Sequence, residues 1–366
     1  MNLFKLSLFL LLFLHMPLHA KNESLEKVTL QLQWKHQFEF AGFYAAKEKG
    51  FYRDNGLDVS FLEYNSKINI VDTVLSDKAQ YGLSYSSIIA DYLNGKPIVM
   101  LENFFKQSPL ILVAQEEIRT PADLKGKKVM GVSSSIDDIT LLTMLEKFNI
   151  SLSDTQTVPA NFSIDDFVNR KVDAMSAFTT NELYELNKRG IRYTVLDPTV
   201  YGTKYYDVNL FTTTKEVQEN PSRVQKFREA SIKGWEYALS HQDEIIQLIL
   251  EKYNTQNKTK EALAFEAKQI EQIMLPKIYP IGSIDTYRIK MIAESFRQAG
   301  FIKAEKQRSL ADFIYKKNPD KLILTAAEHT FIKNHPSIVL GTEKAWKPYI
   351  IVKKDGTISG YDADVL

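Results

Sequence analysis

The segment over residues 28–64, VTLQLQWKHQFEFAGFYAAKEKGFYRDNGLDVSFLEY, constrains the fold more than any other part of the chain. Val28, Leu30 and Leu32 alternate with Thr29, Gln31 and Gln33, the period-two pattern of a strand with one buried face. The alternation stops at Trp34, and Lys35, His36, Gln37, Phe38 and Phe40 form a polar and aromatic corner. Small and aromatic residues at helical spacing follow (Ala41, Tyr44, Ala45), with Lys47, Glu48 and Lys49 on the opposite face. Gly50 suits a helix C-cap, Asp54-Asn55-Gly56 a turn, and residues 57–62 a second strand. A strand that feeds a helix leaves free backbone N–H groups at its carboxyl end, where α/β proteins place ligands.

The alternation continues. Residues 68–75 read as a helix and 79–83 as a strand, after which Ser84-Tyr85-Ser86-Ser87 starts a helix to about Leu93. Apolar strands follow over 98–101 and 110–114, the latter expected to be the first crossing between lobes. A second α/β unit has strands over 127–132 and 173–178, the first opening through Ser133-Ser134-Ser135 into a helix over 137–148. Phe178 closes the second strand, and Thr179-Thr180-Asn181-Glu182 begins a helix ending near Arg189-Gly190. A strand over 192–196, a loop over 197–206 and a return crossing over 208–213 precede four helical stretches, 221–240, 242–253, 260–275 and 285–299. The pattern predicts an α/β fold of two lobes with a ligand cleft between them. The expected binding domain covers 27–305, with one lobe from 27–112 and 209–305 and the other from 113–208.

Composition removes several function classes. With 366 residues, 44% hydrophobic and 25% charged, the chain can bury a substantial core. Its formal net charge of +1 and the lack of a basic run with interleaved aromatics give no support for nucleic-acid binding. Residues 1–20 read as a secretory signal, with Lys5, an apolar run over 6–14 and Ala20 at the cleavage position; retention as a signal anchor is the other reading. Export would place the protein in the periplasm, membrane-tethered as part of a longer chain. The absence of cysteine excludes a lipoprotein anchor, thiol catalysis and cysteine-ligated metals. His36, His241, His329 and His335, outside the signal, show no metal-ligand spacing, so neither metal nor cofactor is expected. No hydrolase, zinc-protease or P-loop motif occurs.

Candidate ligand contacts gather at strand–helix junctions. Trp34 offers an aromatic face for a planar heterocycle, or else fills the core. Phe38, Phe40 and Tyr44, taken singly, read as core. The hydroxyls at Ser84 to Ser86 and at Ser133 to Ser135 can cap helix N–H groups or bind a ligand's polar edge. Glu182, in the third junction, could pair with a ligand amino group, while Asp137 and Asp138 suit the positive end of their helix.

Strand-Trp, Gln-Phe-x-x-Ala-Gly-x-Tyr, Lys-Gly-Phe-Tyr and Gly-Leu-Asp-Val together resemble the THI5/NMT1-like group of periplasmic binding proteins, over about 28–301. The resemblance implies a type II-like two-lobed binding fold and a small planar, nitrogen-rich ligand such as a thiamine pyrimidine precursor. It also implies an output to an ABC permease or to a signalling module in the same full-length chain. On junctions and resemblance together, the expected ligand contacts are Gln33, Trp34, Phe38, Gly42, Ser84, Tyr85, Ser86, Ser133, Ser134, Ser135, Phe178, Thr180, Asn181 and Glu182. The group includes a pyridoxal-phosphate-dependent synthase of the thiamine pyrimidine phosphate, which consumes one of its own histidines. Its lysine and histidine correspond here to Ser84 and Ile88, and its cysteine motif falls near residues 205–213, which hold none. A serine forms no Schiff base and an isoleucine offers no imidazole, so the expectation is a binding protein and no enzyme.

The tail reads separately. Residues 306–335 suggest a linker helix that ends at Pro336. Residues 336–366, with Trp346-Lys347-Pro348-Tyr349 and Asp355-Gly356-Thr357-Ile358-Ser359-Gly360, resemble the start of a family 3, amino-acid-type solute-binding domain of bacterial sensor proteins. That start is too short to complete such a domain, and the expectation is a longer parent protein. A C-terminal hairpin packed on the main domain is the alternative.

Overall fold

The computed structural model describes residues 25–161, 163–303, 308–316, 331, 333–335, 351–353 and 358–359. The expected signal segment, most of the linker helix and most of the tail lie outside them. The chain divides into two compact units, Met1–Tyr315 and Lys316–Leu366. In the second, Ile351–Val352 pairs antiparallel with Ile358–Ser359, and the Phe331 and His335 rings stack at 4.1 Å. Among the described residues no helix is long and apolar enough to cross a membrane.

The first unit opens with four strands, β1 (Glu26–Gln31), β2 (Leu57–Leu62), β3 (Tyr81–Ser84) and β4 (Ile98–Phe105). Five more follow: β5 (Leu110–Ala114), β6 (Lys128–Met130), β7 (Gln156–Val158), β8 (Ala174–Phe178) and β9 (Thr194–Leu196). Strand β10 (Asp207–Thr213) then returns to the first group. The strands form two mixed sheets, in the orders β2-β1-β3-β10-β4 and β7-β6-β8-β5-β9. Each sheet is the floor of one lobe.

Period-two alternation decides what each sheet covers. Along β10 Leu210 joins a core built on Leu30, Phe43 and Trp235, while Phe211 faces a second core with Val74, Ile292 and Phe296. Along β5 Leu110, Leu112 and Ala114 enter one core of the second lobe, and Ile111 and Val113 the other. All residues of β4, β5 and β10 are buried, as strands covered by helices on both faces must be.

The 110–114 segment does not make the expected crossing. Strand β5 lies wholly in the second sheet, paired with β8 from Leu110↔Phe178 to Ala114↔Ala174 and flanked on its other edge by β9. The crossing falls just before it, at Lys106 to Pro109, where proline has no N–H to continue a ladder. This stretch is tied to the return crossing by Ser108 N–H donating to the Tyr205 carbonyl at 3.0 Å.

Two helices of the first lobe approach closely. A Cβ on Gly42, in the helix Ala41–Glu48, would lie 2.1 Å from Trp235 Cγ. A Cβ on Gly234, in the helix Pro221–Ser240, would lie 2.1 Å from the Gly42 carbonyl oxygen. The chain ends this unit as an added edge. Met100 N–H donates to the Phe313 carbonyl at 2.7 Å and Tyr315 N–H to the Met100 carbonyl at 2.8 Å, on the free side of β4.

Candidate functional site

A cavity of about 1030 Å³ opens between the lobes, at the carboxyl ends of β1 and β3 on one side and of β6 and β8 on the other. Trp34 follows β1 and stacks on Tyr64, with ring centroids 5.3 Å apart and planes inclined by 20°. The pair forms an aromatic wall, with Tyr85 and Ser86 beside it. Ser133, Ser134, Ser135 and Ser176 face it from the second lobe. A smaller cavity of about 80 Å³ shares Trp34, Tyr85, Phe178 and Asp207 with the larger one and adds Gln33, Gln37, Glu39, Thr180, Asn181 and Glu182.

The serine loop is preorganised by a carboxylate. Asp138 accepts from Ser133 N–H at 2.9 Å and from Ser133 Oγ at 2.7 Å, while Ser135 Oγ accepts the Asp137 N–H at 3.3 Å. A 3-10 turn, Ile136–Asp138, therefore precedes the helix Ile139–Lys147, which starts two residues later than the sequence suggested. Ser134 is exposed on the cavity wall. At the third junction Glu182 caps its own turn, since its Oε2 accepts the Phe178 N–H at 2.7 Å. Burial raises its pKa, against the pull of that backbone bond and of Lys258.

Three expected contacts stand elsewhere. Phe38 is fully buried in the core of the first lobe. Gly42 serves helix packing, its missing side chain making room for Trp235. Ser84 ends β3 instead of starting a helix: it pairs with Asn209 of β10, its carbonyl accepts from Asn209 Nδ2 at 3.1 Å, and it lines neither cavity. The helix starts later, at Ile88, which is buried in the core. Ser86 lines the larger cavity, though its hydroxyl is already spent on the Tyr206 carbonyl at 2.8 Å. The remaining candidates, Gln33, Trp34, Tyr85, the three serines, Phe178, Thr180, Asn181 and Glu182, converge on the two cavities.

The sequence reading missed the acid at the deep end. Glu39 accepts from Gln33 Nε2 at 2.9 Å and from Gln37 Nε2 at 2.6 Å, and Asp207 Oδ1 accepts from the same Gln33 Nε2 at 2.9 Å. Glu39 is half-buried and lines the smaller cavity. Burial, reinforced by the charges of Asp207 and Glu266, pushes it up to about 8. Burial also pushes Asp207 up to about 6, against hydrogen bonds from Gln33, the Val208 N–H and Ser108. Val208 sits at φ +47, rare for a β-branched residue, and holds Asp207 at the crossing through its N–H at 2.7 Å. A carboxyl between two phenylalanines, Phe38-Glu39-Phe40, and another at the head of an apolar strand were the available signals. No lysine or arginine lines either cavity among the described residues.

The lobes also meet outside the cavities. Lys258 of the first lobe donates to Asn181 Oδ1 of the second, and the rings of Phe265 and Tyr184 lie 5.7 Å apart.

Two α/β lobes joined by two crossings over a shared cavity define a periplasmic-binding-protein fold. The chain has this fold in common with the periplasmic aliphatic sulphonate binding protein SsuA from Escherichia coli, with a TM-score of 0.62 and 16% identity over 80% of this chain and 93% of that one. The chain belongs to the NMT1/THI5-like family, whose profile matches residues 37–245. A Haemophilus influenzae protein named for thiamine biosynthesis is 26% identical over 303 residues, covering 80% of this chain and 91% of the relative. The formylaminopyrimidine-binding protein of Halalkalibacterium halodurans is 25% identical over 238 residues, 63% of this chain and 72% of that protein.

Proposed function

We propose that the protein is a periplasmic solute-binding protein that closes on a small planar, nitrogen-rich ligand, an aminopyrimidine of the thiamine-precursor class. The observation that carries the reading is the Trp34–Tyr64 aromatic wall beside a deep end built from Gln33, Glu39 and Asp207. The wall suits a flat ring and the deep end suits N–H groups on its edge. A lining without cations argues against a sulfonate or phosphate ligand, whose charge would be desolvated without a partner. Kinship with a formylaminopyrimidine-binding protein points to the same ligand class.

Binding without reaction is the accompanying proposal. Ser84 and Ile88, at the positions of the synthase lysine and histidine, are committed to a strand pairing and to the core. The loaded protein would engage an ABC permease or a signalling module in the same full-length chain, and the sensor-type resemblance over residues 336–366 favours the signalling output.

Calorimetric titration with the hydroxymethyl-aminopyrimidine precursor of thiamine tests the reading, with mass spectrometry of the recovered ligand. Wild type should bind and return the ligand unchanged. Trp34→Ala removes one face of the wall and should weaken binding by roughly 2–4 kcal/mol, the range for a buried aromatic anchor. Equal binding by Trp34→Ala, or a chemically altered ligand, would contradict it.

A further inference from the structure

The deep end of the cleft holds two polar groups whose hydrogen-bonding capacity the protein leaves open. Gln33 is 2% exposed and lines the smaller cavity. Its Nε2 donates to both Glu39 and Asp207, and the Asp207 carboxylate, ionised at neutral pH with a pKa of about 6, fixes the amide's orientation, because reversal would set its oxygen against that charge. Gln33 Oε1 then has no hydrogen-bond partner among the described residues. Buried acceptors are seldom left in that state, and Gln33 is a lining residue of the smaller cavity.

Glu39 is the second group. Its two oxygens accept from Gln33 and Gln37. With its pKa pushed up to about 8, it carries a proton at neutral pH, and that O–H needs an acceptor. The surrounding titratable groups leave no unengaged cation to hold Glu39 ionised. Asp207 approaches from β10, Glu266 and Lys258 from the side of the helix Lys260–Met274, Tyr44 from the helix that follows Glu39, Tyr85 from beyond β3, and Glu182 from the second lobe. Lys258 is engaged by Glu266 at 3.3 Å and by Asn181, and Glu266 accepts the Glu39 N–H at 2.9 Å.

We infer that Glu39 and Gln33 together read one edge of a basic ring, the Glu39 O–H donating to a ring nitrogen and Gln33 Oε1 accepting from an adjacent amino group. The inference rests on the aminopyrimidine reading and specifies how that ring is recognised. A neutral acid against a neutral ring nitrogen holds one proton, and so does a carboxylate against a protonated ring. The complex therefore carries one proton in this bond whichever atom holds it.

The proton count sets a pH profile. Above about pH 8, where free Glu39 has ionised, binding must take up a proton, and affinity falls by up to about tenfold per pH unit. Below the ring's own pKa, free ring and free Glu39 each hold a proton and one must leave, so affinity falls again. The alkaline limb belongs to Glu39. A glutamine at the same position does not ionise, so Glu39→Gln removes that limb, while its amide nitrogen, which cannot accept from Gln33 or Gln37, weakens the pairing.

The test is calorimetric titration of wild type and Glu39→Gln with the hydroxymethyl-aminopyrimidine precursor of thiamine, from about pH 6 to about pH 9.5. Wild type should lose about tenfold or more in affinity between about pH 8 and about pH 9.5. Glu39→Gln, whose amide nitrogen cannot accept as a carboxyl oxygen does, should bind more weakly than wild type at neutral pH and remain flat to the alkaline end. Tight wild-type binding that is flat to the alkaline end would leave the aminopyrimidine reading standing and overturn the Glu39 role. An alkaline limb that persists in a folded Glu39→Gln would overturn it too, and if that variant fails to fold the wild-type profile decides. No binding by wild type at any pH would overturn the ligand reading and this inference with it.

Discussion

A methyl group on Gly42 would meet the indole of Trp235 at 2.1 Å, closer than any two carbon atoms pack. The contact explains why this glycine sits in a helix, where it costs backbone entropy, and places its role in the core and away from the ligand. Gly42→Ala should therefore destabilise the fold by about 1–3 kcal/mol through overpacking. Chemical denaturation should register that loss, while the affinity of the remaining folded protein stays at the wild-type value. A large drop in affinity at unchanged stability would instead return Gly42 to the site. The glycine was legible in the sequence as part of a family pattern, but a pattern does not say whether the space beside it holds a ligand or a tryptophan 193 positions away in the chain.

Among the elements, the serine loop shows how a short carboxylate contact substitutes for regular structure. The loop Ser133 to Ser135 borders the cavity between β6 and its helix, where backbone N–H groups have no helical acceptor. Asp138 satisfies one N–H and one hydroxyl there, so the loop is shaped before a ligand arrives. Asp138→Ala releases both bonds in a partly exposed setting and should weaken ligand binding by about 0.5–1.5 kcal/mol. Titration of that variant, with circular dichroism to verify its fold, measures the effect; unchanged affinity would mean that the loop's order contributes nothing to binding. The strand–loop–helix order here was readable from hydrophobic periodicity. The turn inserted before the helix was not, because a side-chain bond and a cap compete with the helix for the same N–H groups.

For the molecule as a whole, the two crossings and a clasp are among the contacts that link the lobes. The crossings run side by side, joined from Ser108 to Tyr205, and carry Asp207 into the site. The clasp joins Asn181 to Lys258 and sets Tyr184 against Phe265. Tyr184 lines neither cavity, so Tyr184→Ala tests the clasp apart from ligand contact. Loss of the ring pair should cost about 0.5–1.5 kcal/mol of closed-state stability and weaken binding correspondingly. Small-angle scattering should show a larger radius of gyration for the unliganded variant than for unliganded wild type, and identical scattering with unchanged affinity would remove the clasp from the mechanism.

Alternation and helical spacing along the chain determined that this is a two-lobed α/β protein, that Trp34 stands at a strand's end, and that three polar junctions face one cleft. These are short-range properties, set by which residues bury one face of a strand or a helix. The tertiary structure alone decided that residues 110–114 join the second sheet, because a strand's partners depend on long-range pairing that an apolar run does not encode. It alone moved Gly42 into the core and Ser84 into a ladder, since each fits either environment by residue type, and it decided for Phe38 between the core and the site. It alone brought Glu39 to Gln33 and Asp207, from three separate segments, and only their mutual burial turns an ordinary surface acid into a proton-bearing group at the end of a cleft.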